Sequence, residues 1–268
     1  MWDAVRRRAS WVSGSGGSDA GASGTDDGTW GGPGSRPASP WPLRLTGCTP
    51  RGTEVTLRPL TADDEAVFHS VRRANAAWLE PWDATSPDPS APVRGFAELV
   101  AHYDRDARAG RALPLVVEVD RRLVGQLSIG GIMLGSFRSC LVGYWVSRSV
   151  AGRMVIPTAL AMAGDHVLDT LGLHRIEVNI RPENAASLAV VRKLGFREEG
   201  LRPNYLHIAG AWRDHLSFAL TTEDLAGERL MDRLVRLAAD SSHQSSQQSL
   251  ARHTERGPGP GGGAHLPF

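Results

Sequence analysis

The chain has 268 residues, a formal net charge of +1 and 41% apolar residues. That length bounds it to one large or two small domains, and the near-zero charge gives no reason to expect a nucleic-acid or membrane-surface partner. Cys48 and Cys140 are the only cysteines, far apart and in no metal-ligand spacing, so neither a disulfide framework nor a metal site is expected.

Arg6, Arg7 and Arg8 are not followed by an apolar stretch of signal-peptide length, and no run approaches a membrane span, so a cytoplasmic location is expected. Residues 11–40 are rich in Gly, Ser, Asp and Pro. They bury too little to offset ordering entropy, so an extension over 1–41 is expected to be disordered, as is the tail over 241–268. The domain between them is expected over 42–225. Leu230, Leu234 and Leu237 recur at helical spacing and predict a further helix within 226–240.

Within these limits, "EVTLRPL" (54–60) alternates as a strand. "TADDEAVFHSVRRANAAWL" (61–79) reads as one helix, with Thr61 as N-cap and Asp64 at the capping-box position. "PWDATSPDPSAP" is a proline-broken loop, and the helix after it stops at Gly110. "LPLVVEV" and "LVGQLSIGGI" form two strands joined by a short "DRR" turn, and "SCLVGYWVS" (139–147) forms a third. The next helix carries Leu160, Ala163, Val167 and Leu171 on one stripe and stops at Gly172. "HRIEVNI" is a strand, "NAASLAVVRKLGF" a helix between Asn184 and Gly195, and "AWRDHLSFAL" a closing strand. The pattern is a mixed α/β domain around one sheet.

Two strand-to-helix turns, some thirty residues apart, open on one edge of that sheet, where ligands sit in open α/β sheets. The first is "SRSVAGRM". A helix N-terminus there offers free amides to an anion, Gly152 permits close approach, and Arg148 and Arg153 add charge. Its spacing fits neither a P-loop nor a dinucleotide fingerprint, and a routine turn is the competing reading. The second turn, "RPEN", leads to Asn184 and Ser187, which are also ordinary capping types.

"VGYWVSRSVAGRMVIPTALAMAGDHVLDTLGLHRIEVNIRPENAASLAVVRKLGFREEGL" resembles the core of the GCN5-related N-acetyltransferases (GNAT). "YLHIAGAWRDHLSFALTTEDL" is similar to the tail of their ribosomal-protein N-terminal alanine/serine acetyltransferase branch, and the likeness runs over about 54–225. The resemblance implies a mixed, mostly antiparallel sheet flanked by helices, with acetyl-coenzyme A as donor, a primary amine as acceptor and no metal. It places the pantetheine arm against the backbone of Trp145 and Val146 and the pyrophosphate on the loop Ala151, Gly152, Arg153, Met154, Val155 and Ile156. Laid on the family's loop pattern, Ala151, Met154 and Ile156 all depart from it. A right-handed φ is expected at Met154, because Val155 and Ile156 resist positive φ and Pro157 fixes the helix start.

Asn184 and Ser187 match the family's Asn-x-x-Ser, which implies that Asn184 orients the cofactor and Ser187 lies near the sulfur. Glu118, Glu177, His207, Asp214 and His215 are the titratable candidates for a base. "WRDH" resembles the branch's own pattern and favours Asp214 and His215, with a structural ion pair or a surface position as the alternative. Trp78 and Trp82, in a segment similar to the branch's substrate loop, either wall an acceptor cleft or join the core. The expected activity is acetylation of a protein N-terminus, a ribosomal protein being the expected partner of a monomer or homodimer. A small-molecule amine acceptor and a non-catalytic cofactor-binding module are the alternatives.

Overall fold

The computed structural model describes residues 41–240 apart from 89, 91 and 93. The two tails expected to be disordered lie outside the described residues, except for Trp41. The described chain forms an eight-stranded sheet in the order β1-β2-β3-β4-β5-β6-β8-β7. The strands are β1 (Leu45–Cys48), β2 (Glu54–Pro59), β3 (Leu113–Val119), β4 (Arg122–Met133), β5 (Ser139–Val146), β6 (Arg175–Ile180), β7 (Arg197–Ile208) and β8 (Ala211–Thr221). All neighbours are antiparallel except β5 and β6. This is the expected mixed, mostly antiparallel sheet.

Strand alternation divides the side chains between two faces. One face carries Leu57, Leu115, Val117, Leu127, Ile129, Cys140, Val142, Ile176, Val178, Phe218 and Leu220 into the main core. Helix α4 (Val155–Asp165) is buried along its whole length against that face, and α5 (Ala185–Lys193) covers it through Leu188 and Val191. The expected stripe of Leu160, Ala163, Val167 and Leu171 is buried, and Gly172 turns the chain at φ +61°. Residues 230–240 are helical, and Leu230 and Leu234 in them are fully buried. Asp165 accepts the amides of Leu230 and Met231 at 2.7 and 3.2 Å, which caps this helix at its N-terminus.

The opposite face packs α1 (Glu65–Ala74) and α3 (Phe96–Arg108), through Phe68, Phe96, Leu99 and Tyr103, onto Val116 and Leu123. The single helix expected over 61–79 is interrupted. After a 3₁₀ turn at Ala62–Asp64, α1 ends before Asn75, and a short α2 (Ala76–Leu79) follows. Asn75 leaves the helical region because its side chain serves a tertiary contact: Oδ1 accepts from Ser147 Oγ at 3.2 Å and from the Arg148 amide at 2.9 Å. The capping box at Thr61 forms, with the Thr61 amide and hydroxyl both donating to Asp64 Oδ2.

Candidate functional site

The site grows from a failure of pairing. β5 and β6 are hydrogen-bonded only over Ser139–Leu141 and Arg175–Glu177. Beyond that, five residues of β5 and three of β6 diverge, and the sheet opens into a wedge at the ends of two parallel strands, the place where open α/β sheets take ligands. The backbone of Val146 lines this wedge. Ser147 N–H donates to Val124 O at 2.7 Å on β4, and Val146 stands opposite Gly125. Adjacent pairs of an antiparallel ladder alternate between exchanging bonds and facing away, so the Val146 amide and carbonyl turn toward β6. Trp78 Nε1 donates to that carbonyl at 3.1 Å.

The loop between β5 and α4 faces the same opening. A 3₁₀ turn at Arg148–Val150 leads to Gly152 at φ +76° and Met154 at φ +65°, ψ +10°, the N-cap of α4. The right-handed φ expected at Met154 is therefore wrong. Val155 and Ile156 do take helical angles, but the chain has to reverse between Gly152 and Val155. Met154 absorbs the left-handed step that lies just outside the helix. Its side chain is half-buried against the main core, as expected. Gly152 and Met154, left-handed on either side of Arg153, turn the chain sharply, and successive amides in such a turn make an anion-binding concavity. No acceptor within the described residues takes the amides of Gly152, Met154, Val155 or Ile156. The residues thus fit a pyrophosphate through main-chain donors reinforced by the α4 dipole. Arg153 is exposed at this loop, and the Arg148 guanidinium lies 5.8 Å from the Trp78 ring centroid.

The other lip of the wedge is the turn from β6 into α5. Asn184 Oδ1 accepts the Ser187 amide at 3.0 Å, so Asn184 caps the helix. Tyr144 Oη donates to the Ser187 carbonyl at 3.4 Å and ties β5 to the first turn of α5 across the opening. Burial raises the Tyr144 phenol well above its ordinary pKa, so it stays a neutral donor. Ser187 is half-buried, with its amide and carbonyl both engaged.

Behind the wedge, the face that carries α1 and α3 continues over β6 and β8. Arg213, His215 and Ser217 lie along one side of β8, and Asn179 of β6 stands opposite Ser217. His215 is 3% exposed, lies with its ring centroid 5.3 Å from that of Tyr205, and has Nδ1 3.0 Å from the Arg213 carbonyl. That contact assigns the proton to Nδ1 and leaves Nε2 with a lone pair. Burial pushes the His215 pKa down, so the ring is neutral at pH 7.

Asp214 and His215 do not come together. Strand alternation puts Asp214 on the opposite side of β8, where it is exposed and accepts the Asn204 amide at 2.8 Å. The other titratable candidates are held elsewhere. Glu118 accepts from Arg58 at 2.9 Å, Glu177 accepts from Arg175 and Arg202 at 3.0 and 2.9 Å, and His207 Nδ1 lies 2.7 Å from Thr85 Oγ1.

The 81–86 segment roofs this face. Ala84 bridges to Ile208, the Thr85 amide donates to the His207 carbonyl at 2.9 Å, and Arg181 donates to the Pro81 carbonyl at 2.8 Å while lying 5.6 Å from the Trp82 ring centroid. Arg72 and Asp83, both buried, pair at 2.5 Å and fix the roof to α1. Trp78 and Trp82 are half-buried at its edges and belong to neither apolar core. Asn75, Arg72, Tyr144, Asn179, Arg181 and Ser217 had no motif to reveal them, because each gains its role from a partner distant in sequence. Among the described residues no cluster of His, Cys, Asp or Glu is fit to hold a metal, and no helix is long and apolar enough to cross a membrane.

Residues 54–197 match the acetyltransferase (GNAT) domain model. The chain is 30% identical over 152 residues to a ribosomal protein uS5-alanine N-acetyltransferase of Escherichia coli, covering 56% of this chain and 78% of that protein. It is 26% identical to a probable N-acetyltransferase, YjcK, of Bacillus subtilis, covering 65% of this chain and 97% of the relative. Among solved structures, Mycobacterium smegmatis RimJ in complex with CoA-disulfide shares 40% identity with a TM-score of 0.66, covering 74% of this chain and 96% of that one. The wedge, the amide-lined loop and these relatives agree on acetyl-coenzyme A as donor and on N-acetyl transfer as the reaction. The chain belongs to the GNAT family of acetyltransferases.

Proposed function

We propose that the acceptor is the N-terminal α-amine of a protein, a ribosomal protein in the cytoplasm being the preferred class. The observation that carries this reading is the 81–86 roof, which is tied at one end to Arg181 after β6 and at the other to His207 and Ile208 on β7 and so spans the strands between them. The name of the Escherichia coli relative supports a ribosomal acceptor that starts with alanine. An α-amine has an unperturbed pKa near 8, so about a tenth is neutral and nucleophilic at pH 7 without help.

Acetyl-coenzyme A supplies the thioester carbonyl when bound. The Ala151–Ile156 loop holds its pyrophosphate, and the Val146 backbone holds the arm; the Trp145 amide and carbonyl, expected to share that role, are turned to Gln126 on β4. The Val146 amide, turned into the wedge, is placed to donate to an oxygen that gains charge during transfer. The Ser187 hydroxyl donates to the departing sulfur. Of the two base candidates on β8, His215 faces the acceptor strip with a free nitrogen lone pair and takes the amine proton. Asp214 positions the β7 backbone from the other side.

A thiol-release assay with acetyl-coenzyme A tests this reading against hexapeptides starting with Ala, Ser, Met or Pro and against small amines. Turnover is expected on the Ala or Ser peptides. Turnover confined to a small amine would replace the acceptor assignment. Acetyl-coenzyme A binding without turnover on anything would replace it with a non-catalytic module.

A further inference from the structure

Three buried side-chain atoms, Asn179 Oδ1, Ser217 Oγ and Arg213 Nε, have no hydrogen-bond partner within the described residues. Buried polar atoms are nearly always paired, so three orphans in a domain call for a reason. These three share one face. Asn179 and Ser217 are cross-strand partners, which puts their Cβ atoms about 5 Å apart. Arg213 lies four residues back along β8 on the same side, about 13 Å along the strand. His215 sits between them, and the roof made by 81–86 lies above. The Asn179 amide nitrogen is already committed to Tyr205 Oη at 3.2 Å, which leaves its carbonyl oxygen as a pure acceptor. Ser217 is 3% exposed. Gly143, on β5 across the wedge, is half-exposed and adds no side chain.

The charge of this strip is as informative as its geometry. The carboxylates nearest to it are engaged by arginine: Glu177 by Arg175 and Arg202, Glu183 by Arg181, and Asp83 by Arg72. What remains facing the strip is Asn, Ser, a neutral His and the guanidinium group of Arg213. Such a lining accepts hydrogen bonds from a neutral amine and donates to carbonyl oxygens. It has no unpaired anion with which to hold a polycation, and the Arg213 guanidinium repels one.

We propose that Asn179 and Ser217 take the N–H groups of the incoming α-amine, while Arg213 Nε–H donates to a carbonyl further along the acceptor. The acceptor is then a polypeptide laid along β8 with its terminus at the wedge, and polyamines are selected against. This rests on the N-terminal acetyltransferase reading and adds to it the residues that set acceptor choice. The spacing carries a length rule. At about 3.3 Å per extended residue, a single aminoacyl amide reaches Asn179 and Ser217 but falls short of Arg213, whereas a peptide of about four or more residues reaches it.

The test is steady-state acetyl transfer by the full chain and its variants to an Ala-starting hexapeptide, to alaninamide and to spermidine, alongside acetyl-coenzyme A binding by calorimetry. Asn179→Ala and Ser217→Ala are expected to raise KM for hexapeptide and alaninamide alike by about tenfold. Arg213→Gln is expected to raise KM for the hexapeptide only. Acetyl-coenzyme A affinity stays within twofold in all three, which separates acceptor binding from misfolding. Asn179→Asp, which supplies the missing anion, is expected to shift relative kcat/KM toward spermidine at least tenfold, a change that a merely structural role for Asn179 does not produce.

Unchanged KM in both Asn179→Ala and Ser217→Ala would overturn the amine contacts. An equal effect of Arg213→Gln on alaninamide and hexapeptide would overturn the length rule, and a wild-type preference for spermidine would overturn the selectivity. If the wild type acetylates alaninamide but no peptide, the protein-acceptor reading and the Arg213 contact fail together, while the Asn179 and Ser217 contacts are still decided by alaninamide. If it acetylates neither, the whole proposal falls.

Discussion

The two sides of the wedge present different groups to the ligands proposed for them. The donor side, β5 with the Ala151–Ile156 loop, presents main-chain amides: Val146 turned outward from the ladder, and the concavity formed by Gly152 and Met154. The acceptor side, β6 and β8 under the 81–86 roof, presents side chains: Asn179, Arg213, His215 and Ser217. Amides are supplied by any residue except proline, so on the proposed reading the donor side tolerates Ala151, Met154 and Ile156 where the family pattern has others. It requires only the backbone angles. The acceptor side has no such freedom, since each contact belongs to one residue type. One chemistry can therefore be kept while the acceptor changes.

The largest effect expected on this contrast comes from the roof. Asp83→Asn leaves the buried Arg72 guanidinium without its counter-charge, and removing one partner of a buried pair costs about 3 kcal/mol or more. Thermal denaturation is expected to show a loss of about 10 °C for a domain of this size. Acceptor KM should rise with it, while acetyl-coenzyme A affinity, carried by the β5 backbone and the Ala151–Ile156 loop, changes far less. Equal losses on both sides would show that the two are not separate.

Ser187→Ala comes next. It lies at the junction of the two sides and is expected to lower kcat by about 10²-fold, with acetyl-coenzyme A affinity within twofold, if its hydroxyl serves the departing sulfur. Unchanged turnover would remove Ser187 from the mechanism and leave it as part of the α5 first turn. Asn184→Ala removes an observed cap, worth about 1 kcal/mol. A loss of 2–4 °C in Tm is expected. Acetyl-coenzyme A affinity separates the two roles at this residue, since a cap alone leaves it unchanged.

The same contrast explains what was legible in the sequence. The donor side is local: a strand, a turn and a helix contiguous from Ser139 to Asp165, so periodicity and turn chemistry located it. The acceptor side is assembled from Arg72 with Asp83, Ala84 with Ile208 and Asn179 with Ser217, pairs that no periodicity links. Residue type misled at β7. Pro203, Gly200 and four charges among its first six residues argue against a strand, yet β7 is the edge of the sheet. Proline and glycine are tolerated there, at the two places where its register with β8 slips. At β8 the motif was read correctly as a strand, but two adjacent residues of a strand cannot both face one site, and this is why Asp214 and His215 part.

The smallest effect expected is at Met154, and it tests the main-chain account of the donor side most directly. A left-handed angle costs a residue with a side chain roughly 1 kcal/mol relative to glycine. Met154→Gly relieves that strain. It also loses the half-buried side chain packed on the main core and adds freedom to the unfolded chain, each worth about 1 kcal/mol in the opposite direction. Stability is expected to fall by no more than about 1 kcal/mol. Because the loop already holds the angle that glycine prefers, its amides stay where they are, and acetyl-coenzyme A affinity, read by calorimetry, should remain within threefold. A tenfold loss would mean that the methionine side chain holds the loop in place. A tenfold gain would mean that it obstructs the loop. Either result would make side-chain identity matter on the donor side as it does on the acceptor side, and the distinction between them would fail.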